Sequence, residues 1–330
     1  MEQRRLGGTG LHVSRLGLGT MTWGRDTDEH EAREQIVAFV EAGGTLVDTA
    51  GGYSDGESER VLGGLLADVV GRNEVVLVTK AGISRRSGER VVDTSRGSLL
   101  DELDGSLERL GTDHVDLWMV HTWSDDAPLE ETLAALDHAV ATGRARYVGI
   151  SNYTGWQTAW AASWQRAGPG RVPLAATQVE YSLVQRGIED EVVPAAGALG
   201  LGLLAWSPLG RGVLTGKYRQ GVPADSRAAS PHFEAFVGRY LDAPSRRIVD
   251  AVVTAADGLG ATPLEVALAW VRDRPGVTAP IVGARTAAQL RGALAAEDLE
   301  LPSEIRTALD DVSDRSGGGP GACAMSRGEP

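Results

Sequence analysis

Cysteine is almost missing from this chain: Cys323 stands alone among 330 residues. No disulfide can form within the chain, which fits a reducing cytoplasm, and thiolate metal sites have no material. Basic charge is also short, with 32 Lys and Arg against 45 Asp and Glu and a net charge of -13. That balance excludes the broad basic face of a nucleic-acid binder, though it leaves room for a local basic pocket. No run approaches the roughly 18 apolar residues of a membrane span. The opening "MEQRRLGGTGLHVS" lacks the apolar core of a signal peptide. The expectation is a cytoplasmic protein that binds neither nucleic acid nor membrane, with no obligate protein partner evident. Two nucleotide signatures are absent as well. "LGLG" at 16–19 is followed by Thr22 where G-x-G-x-x-G needs its last glycine. "GRGVLTGKY" at 210–218 has Arg211 and Tyr218 where a phosphate loop needs Gly and Ser or Thr.

What is present is ordinary in bulk, 42% hydrophobic and 23% charged, as in soluble globular domains. Short apolar runs recur at 16–21, 46–49, 75–79, 115–120, 147–150, 175–179, 202–206 and 278–282. They are too apolar for half-exposed strands and read as parallel strands covered by helices. Helix-length segments separate them: 28–42, 57–70, 95–110, 129–142, 155–168, 188–199, 245–258 with 263–273, and 286–296. Asp28-Glu29 and Thr94-Ser95 suit helix starts; Gly43, Gly111 and Gly143 suit helix ends. Although the length alone suggests about two domains, the alternation predicts one α/β domain over 1–314, a closed (β/α)8 TIM barrel. A doubly wound sheet is the other topology considered. Residues 208–244, after the seventh strand, exceed an ordinary connection and read as a lid or binding element. The Gly-rich end, "RSGGGPGACAMSRGEP" at 315–330, reads as disordered.

The stretch "TLVDTAGGYSDGESE" at 45–59 admits two chemistries. Gly52-Tyr53-Ser54-Asp55-Gly56 fits the G-x-S-x-G pattern that would make Ser54 a nucleophile. That elbow needs its serine directly after a strand, whereas Ser54 comes several residues late and only two strands precede it. The alternative places four ionisable groups at the C-terminal strand ends, where barrel active sites lie: Asp48, Lys80 and His121, with Tyr53 in the loop after Asp48. Each alone has an ordinary explanation as a cap, a solvated charge, a core histidine or a packing ring. Together they suit protonation of a nascent oxyanion. Tyrosine is a weak acid with a pKa of about 10, a neighbouring ammonium lowers it, and a histidine orients a carbonyl oxygen. No metal cluster is evident.

From "RRLGGTGLHVSRLGLGTMTWG" through "VDTAGGYSDGESERVLG", "LVTKAG", "VDLWMVH", "VGISNY", "TQVEYSLVQR" and "AWSPLGRGVLTGKY" to "IVGARTAAQL", the chain resembles the aldo-keto reductase superfamily, in order and spacing. Some members of that superfamily are regulatory β subunits of potassium channels. The resemblance implies a barrel floored by an N-terminal β-hairpin and a catalytic tetrad of Asp48, Tyr53, Lys80 and His121, Tyr53 being the proton donor. It implies NADPH as cofactor and a small carbonyl compound as substrate, with Trp23, Tyr53, His121 and Trp123 lining the substrate pocket together with His232, Phe233 and Phe236. Ser151, Asn152 and Gln178 would bind the carboxamide and Trp206 would stack on the nicotinamide. Gly19, Thr20 and Met21 would line the ribose, and Ser207, Leu209 and Gly212 the pyrophosphate. Lys217, Arg227 and Arg285 would grip the 2'-phosphate, Gly283 and Arg285 lying in "GART". Relatives often carry Glu and Asn against adenine where this chain has Gly292 and Ala293, so only Gln289 is carried over there. A cofactor-binding sensor with little turnover, and a Ser54 hydrolase, are the rival functions.

Overall fold

The computed structural model describes residues 1–86, 89–224, 226–229 and 234–314. The tail 315–330, His232, Phe233 and the side chain of Arg227 lie outside the described residues. The chain opens with β1 (Gln3–Arg5) and β2 (His12–Ser14), an antiparallel hairpin. Then come β3 (Gly17–Gly19), α1 (Glu29–Glu41), β4 (Leu46–Asp48), α2 (Glu57–Asp68) and β5 (Val76–Ala81). A second hairpin, β6 (Ile83–Arg86) and β7 (Glu89–Val92), precedes α3 (Arg96–Leu110). The alternation resumes with β8 (Val115–Val120), α4 (Leu129–Ala141), β9 (Ala145–Ser151), α5 (Gly155–Ala167), β10 (Ala176–Glu180), α6 (Val192–Ala198) and β11 (Gly202–Trp206). The remainder is α7 (Glu234–Gly238), α8 (Ala243–Leu259), α9 (Pro263–Arg272), β12 (Val277–Gly283), α10 (Ala287–Leu294) and α11 (Ser303–Ser313).

The strands close in the order β3-β4-β5-β8-β9-β10-β11-β12, every pairing parallel, with β12 returning to β3 at Ile281↔Gly17. This is the (β/α)8 barrel, and the doubly wound sheet is excluded by that closure. Side chains fill its interior: Leu46, Val78, Leu117, Met119, Leu204, Ala279 and Ile281 form one cluster with Leu6 and Val13 of the first hairpin. The hairpin is therefore a floor, driving two apolar side chains into the barrel's N-terminal mouth. Its turn lies so close that a Cβ on Gly7 would stand 2.5 Å from both Gly200 O and Gly202 N. Only glycine fits there, at φ +56.

Several local expectations are corrected. Asp28 caps α1 by accepting from Glu31 N, but Ser95 makes no side-chain cap bond at α3. There Glu131 of α4 accepts from Arg96 N at 3.1 Å, a tertiary partner doing the work of a local one. The 208–244 segment is not one long loop: it holds the 3-10 turns Gly210–Thr215 and Arg227–Ala229 and the short α7, and the next helix starts at Ala243. The β6–β7 hairpin and α11 were not expected.

Candidate active site

β4 ends on Asp48, at the C-terminal mouth. Asp48 is 2% exposed, and its carboxylate is held by two donors: Lys80 Nζ reaches Oδ2 at 2.6 Å and Gln178 Nε2 reaches Oδ1 at 2.7 Å. Lys80 comes from within β5, 1% exposed. Its ammonium also donates to Thr49 O at 3.0 Å and to the Tyr53 hydroxyl oxygen at 3.2 Å. All three ammonium hydrogens are thus used. Because Lys80 donates to the phenol oxygen, the phenol's own hydrogen is left for another acceptor. Burial opposes the charge on Lys80, yet Asp48 and Tyr53 raise its pKa above the ordinary value.

Tyr53 opens a 3-10 turn, Tyr53–Gly56, in which Ser54 and Asp55 both have left-handed φ, 48° and 54°. Such backbone is uncommon outside glycine and clusters at functional sites. The turn is pinned by Gly51 N donating to Lys80 O at 3.2 Å. It rests on Arg109, whose Cδ would lie 2.8 Å from a Cβ on Gly56. Arg109 in turn donates to Glu59 Oε2 at 2.7 Å, and the side chain of Glu59 is fully buried. Sequence reasoning missed Glu59 and Arg109, because charged residues on helical patterns read as solvated.

The His121 ring meets the Tyr53 ring edge-on, centroids 5.8 Å apart. Burial, then the charges of Lys80 and Arg90, hold its pKa well below the usual imidazole value, so it is neutral at physiological pH. Its Nδ1 is buried and has no hydrogen-bond partner among the described residues. For Tyr53 the expected lowering is reversed. Burial is the largest influence and raises the pKa; the Lys80 charge lowers it, the Asp48 charge raises it, and the Lys80 hydrogen bond lowers it, for a net rise. Ser54 Oγ is buried without a hydrogen-bond partner among the described residues, so no base is at hand to activate it.

The strand ends beside this cluster are bonded to one another. Ser151 Oγ and Asn152 N donate to Gln178 O, both at 2.9 Å. Asn152 Nδ2 donates to His121 O at 3.0 Å, and Trp206 Nε1 donates to Asn152 Oδ1 at 2.9 Å. Asn152 and Ser207 hold left-handed φ, 59° and 52°. Gly19 and Thr20 are buried and Met21 half-buried, with Thr20 Oγ1 2.8 Å from Ser58 Oγ. Leu209 is half-buried between the two main core clusters.

The proposed pocket walls fare differently. Trp23 is 0% exposed and its indole donates to Gln35 Oε1 at 3.2 Å, so it is core and not an open wall. Trp123 packs against Tyr153, Trp156 and Trp160, with ring centroids 5.2, 5.4 and 6.1 Å away.

Among the phosphate candidates, Lys217 is exposed, and its Nζ would lie 3.4 Å from a Cβ on Gly212, at φ +94. Gly283 ends β12, and Arg285 precedes α10. Arg285 N donates to Gln289 Oε1 at 3.0 Å, while Ala287 N donates to Glu31 Oε2 at 2.6 Å. The N-terminus of α10 thus already faces a carboxylate.

In the sequence Arg211 serves only to break a phosphate-loop pattern. In the fold it is 2% exposed and donates to both oxygens of Glu180, Nε at 2.9 Å and Nη2 at 2.8 Å. Nη1 donates to Phe236 O at 2.8 Å, and the guanidinium stands 3.5 Å from the Phe236 ring centroid and 5.5 Å from that of Trp206.

The aldo/keto reductase family model matches residues 15–314. The uncharacterized oxidoreductase YrpG of Bacillus subtilis is 37% identical, over 96% of this chain and 98% of its own length. A rice protein named a probable voltage-gated potassium channel subunit beta is 34% identical over 86% of this chain and 87% of its own. The aldo-keto reductase YhdN of Bacillus subtilis is 32% identical over 96% of both chains.

Proposed function

The chain belongs to the aldo/keto reductase family, and from that premise we propose that this oxidoreductase reduces aldehyde or ketone carbonyls with NADPH, Tyr53 giving the proton. The observation that carries the reading is the Lys80–Tyr53 contact at 3.2 Å, inside a network whose other members are Asp48 and Gln178. The strand ends suit a nicotinamide cofactor: Ser151, Asn152 and Gln178 offer polar groups around the half-buried Trp206. Bound NADPH supplies the hydride for the carbonyl carbon.

The protein's own residues handle the oxygen. Its lone pairs accept hydrogen bonds from the Tyr53 hydroxyl and from neutral His121. As negative charge develops there, Tyr53 transfers its proton to the oxygen, and the alcohol forms. Lys80 stabilises the phenolate left behind, and Asp48 keeps Lys80 charged and aimed. Preorganised groups of this kind act where charge appears and not on the ground state. The plant relatives named as channel subunits raise a sensor reading. The intact Asp48–Lys80–Tyr53 network favours turnover.

Tyr53→Phe tests the assignment. Carbonyl reduction, followed by NADPH absorbance over a panel of aldehydes and ketones, should fall about 100-fold or more. NADPH binding, followed by its fluorescence, should hardly change. Ser54→Ala should stay near wild type. Full activity in Tyr53→Phe would end the proton-donor assignment.

A further inference from the structure

We propose that the chain pairs with a second copy of itself through the outer face of α5, the two helices antiparallel across a two-fold axis. The sequence of α5, GWQTAWAASWQRA, carries a single charge, Arg166, in 13 residues. A surface helix ordinarily turns its apolar stripe inward and its polar residues outward. α5 departs from this: its buried face mixes Ala161 and Ala162 with polar residues, and its largest apolar rings face out. Gln157, Thr158 and Gln165 are buried against the barrel, while Trp156 is 56% exposed and Trp160 44%. Adjacent exposed aromatic rings on a helix with one charge are the kind of contiguous apolar surface from which interaction sites are built.

The tryptophans are held ready. The Trp156 and Trp160 rings stack at 6.0 Å with 25° between planes, and Trp123 braces both. Little side-chain freedom remains to be lost on association, and tryptophan is the residue most enriched at the centres of protein interfaces.

Shape and charge select the occupant. At 100° per residue, Trp156, Trp160, Ser163 and Ala167 share one helix face. The N-terminal half of that face is bulky and the C-terminal half small. Antiparallel two-fold pairing sets each bulky half over the partner's small half; parallel pairing would set ring against ring. The flanks agree. Asp125 and Asp126 are exposed beside the bulky end, where Trp123 Nε1 donates to Asp125 Oδ1 at 2.7 Å. Near the small end Arg171 stands 4.1 Å over Trp164. Antiparallel helices bring acids to bases at both ends, as a self-complementary interface requires. The α5 ridge would form the centre of a patch that needs about 800 Å² per partner in all.

The test is molar mass by light scattering after gel filtration, over a concentration series reaching tens of micromolar. The wild type should read two chains. Trp160→Glu, in the bulky half, and Ser163→Arg, in the small half, should each read one chain. Circular dichroism and NADPH binding verify that each variant is folded. A wild type that reads one chain throughout overturns the proposal. So does an assembly that survives both substitutions. Dissociation in Trp160→Glu but not in folded Ser163→Arg overturns the antiparallel arrangement.

Discussion

At Tyr53 two physical effects oppose each other, and the structure decides between them. A lysine beside a phenol suggests a depressed pKa, but Lys80 is buried and Tyr53 half-buried, with Asp48 two bonds of the network away. Burial exceeds the pull of Lys80, and Tyr53 stays protonated past its ordinary range. The sign for activity follows. With Tyr53 as the proposed donor, reduction would use the phenol, so its rate should be level in Tyr53 ionisation across neutral pH and fall only above about 10. Oxidation of the alcohol uses the phenolate, so its rate should climb with pH toward the same region. Initial rates in both directions, with a deuteride isotope effect to show that hydride transfer limits them, check this. A reduction limb falling well below pH 10 that persists in His121→Asn, or the same profile in both directions, would count against a raised tyrosine pKa.

Between elements, the pair Glu180–Arg211 ties the end of β10 to the segment after β11 and, through Phe236 O, to α7. Both side chains are nearly sealed from water, 10% and 1% exposed. Removing one partner of such a pair leaves a buried charge unanswered, a loss of about 3–5 kcal/mol. Glu180→Gln should therefore lower Tm by roughly 4–7 °C. Glu180→Gln with Arg211→Met should recover much of the loss, since neither charge remains. A single variant as stable as wild type would show that Arg211 finds other partners. This tether also marks the limit of what the sequence discloses. The strands β8 and β11 coincide with apolar runs because parallel strands covered on both faces need apolar residues throughout. Asp48, Lys80 and His121 were legible because each follows such a run. The β6–β7 hairpin is polar and held by its own ladder. α11 docks through Leu309, buried with Ile305 packed beside it, as well as through Asp310, which accepts from Trp270 Nε1 and pairs with Arg274; its apolar residues are spaced at helical intervals, so no continuous apolar run announces it. Glu59, Arg109, Glu180 and Arg211 are charges whose partners lie 50 or 31 residues away, and distance of that kind has no local pattern.

The whole molecule carries a net charge of -13, which repels a phosphate-rich cofactor at long range. Attraction has to be local. A helix N-terminus is a ready anion site, but that of α10 already meets Glu31, whose Oε2 accepts from Ala287 N at 2.6 Å. Gln289 is likewise engaged by Arg285 N, and Gly292 and Ala293 offer no side-chain polar group to adenine. On the proposed NADPH reading, recognition of the 2'-phosphate would fall to side-chain cations, among them Arg285 at the head of α10 and Lys217 from the segment after β11. Arg285→Ala should weaken NADPH by about 1.5–3 kcal/mol, the usual worth of a hydrogen bond to a charged group. NADH, which lacks that phosphate, should be weakened far less. The bond from Arg285 N to Gln289 Oε1 is made by backbone that alanine also has, so the local helix start should survive the substitution. Titration of cofactor fluorescence on wild type and variant measures both affinities. Equal losses for the two cofactors would mean that Arg285 does not read the 2'-phosphate, and a wild type that binds NADH more tightly would overturn NADPH as the cofactor.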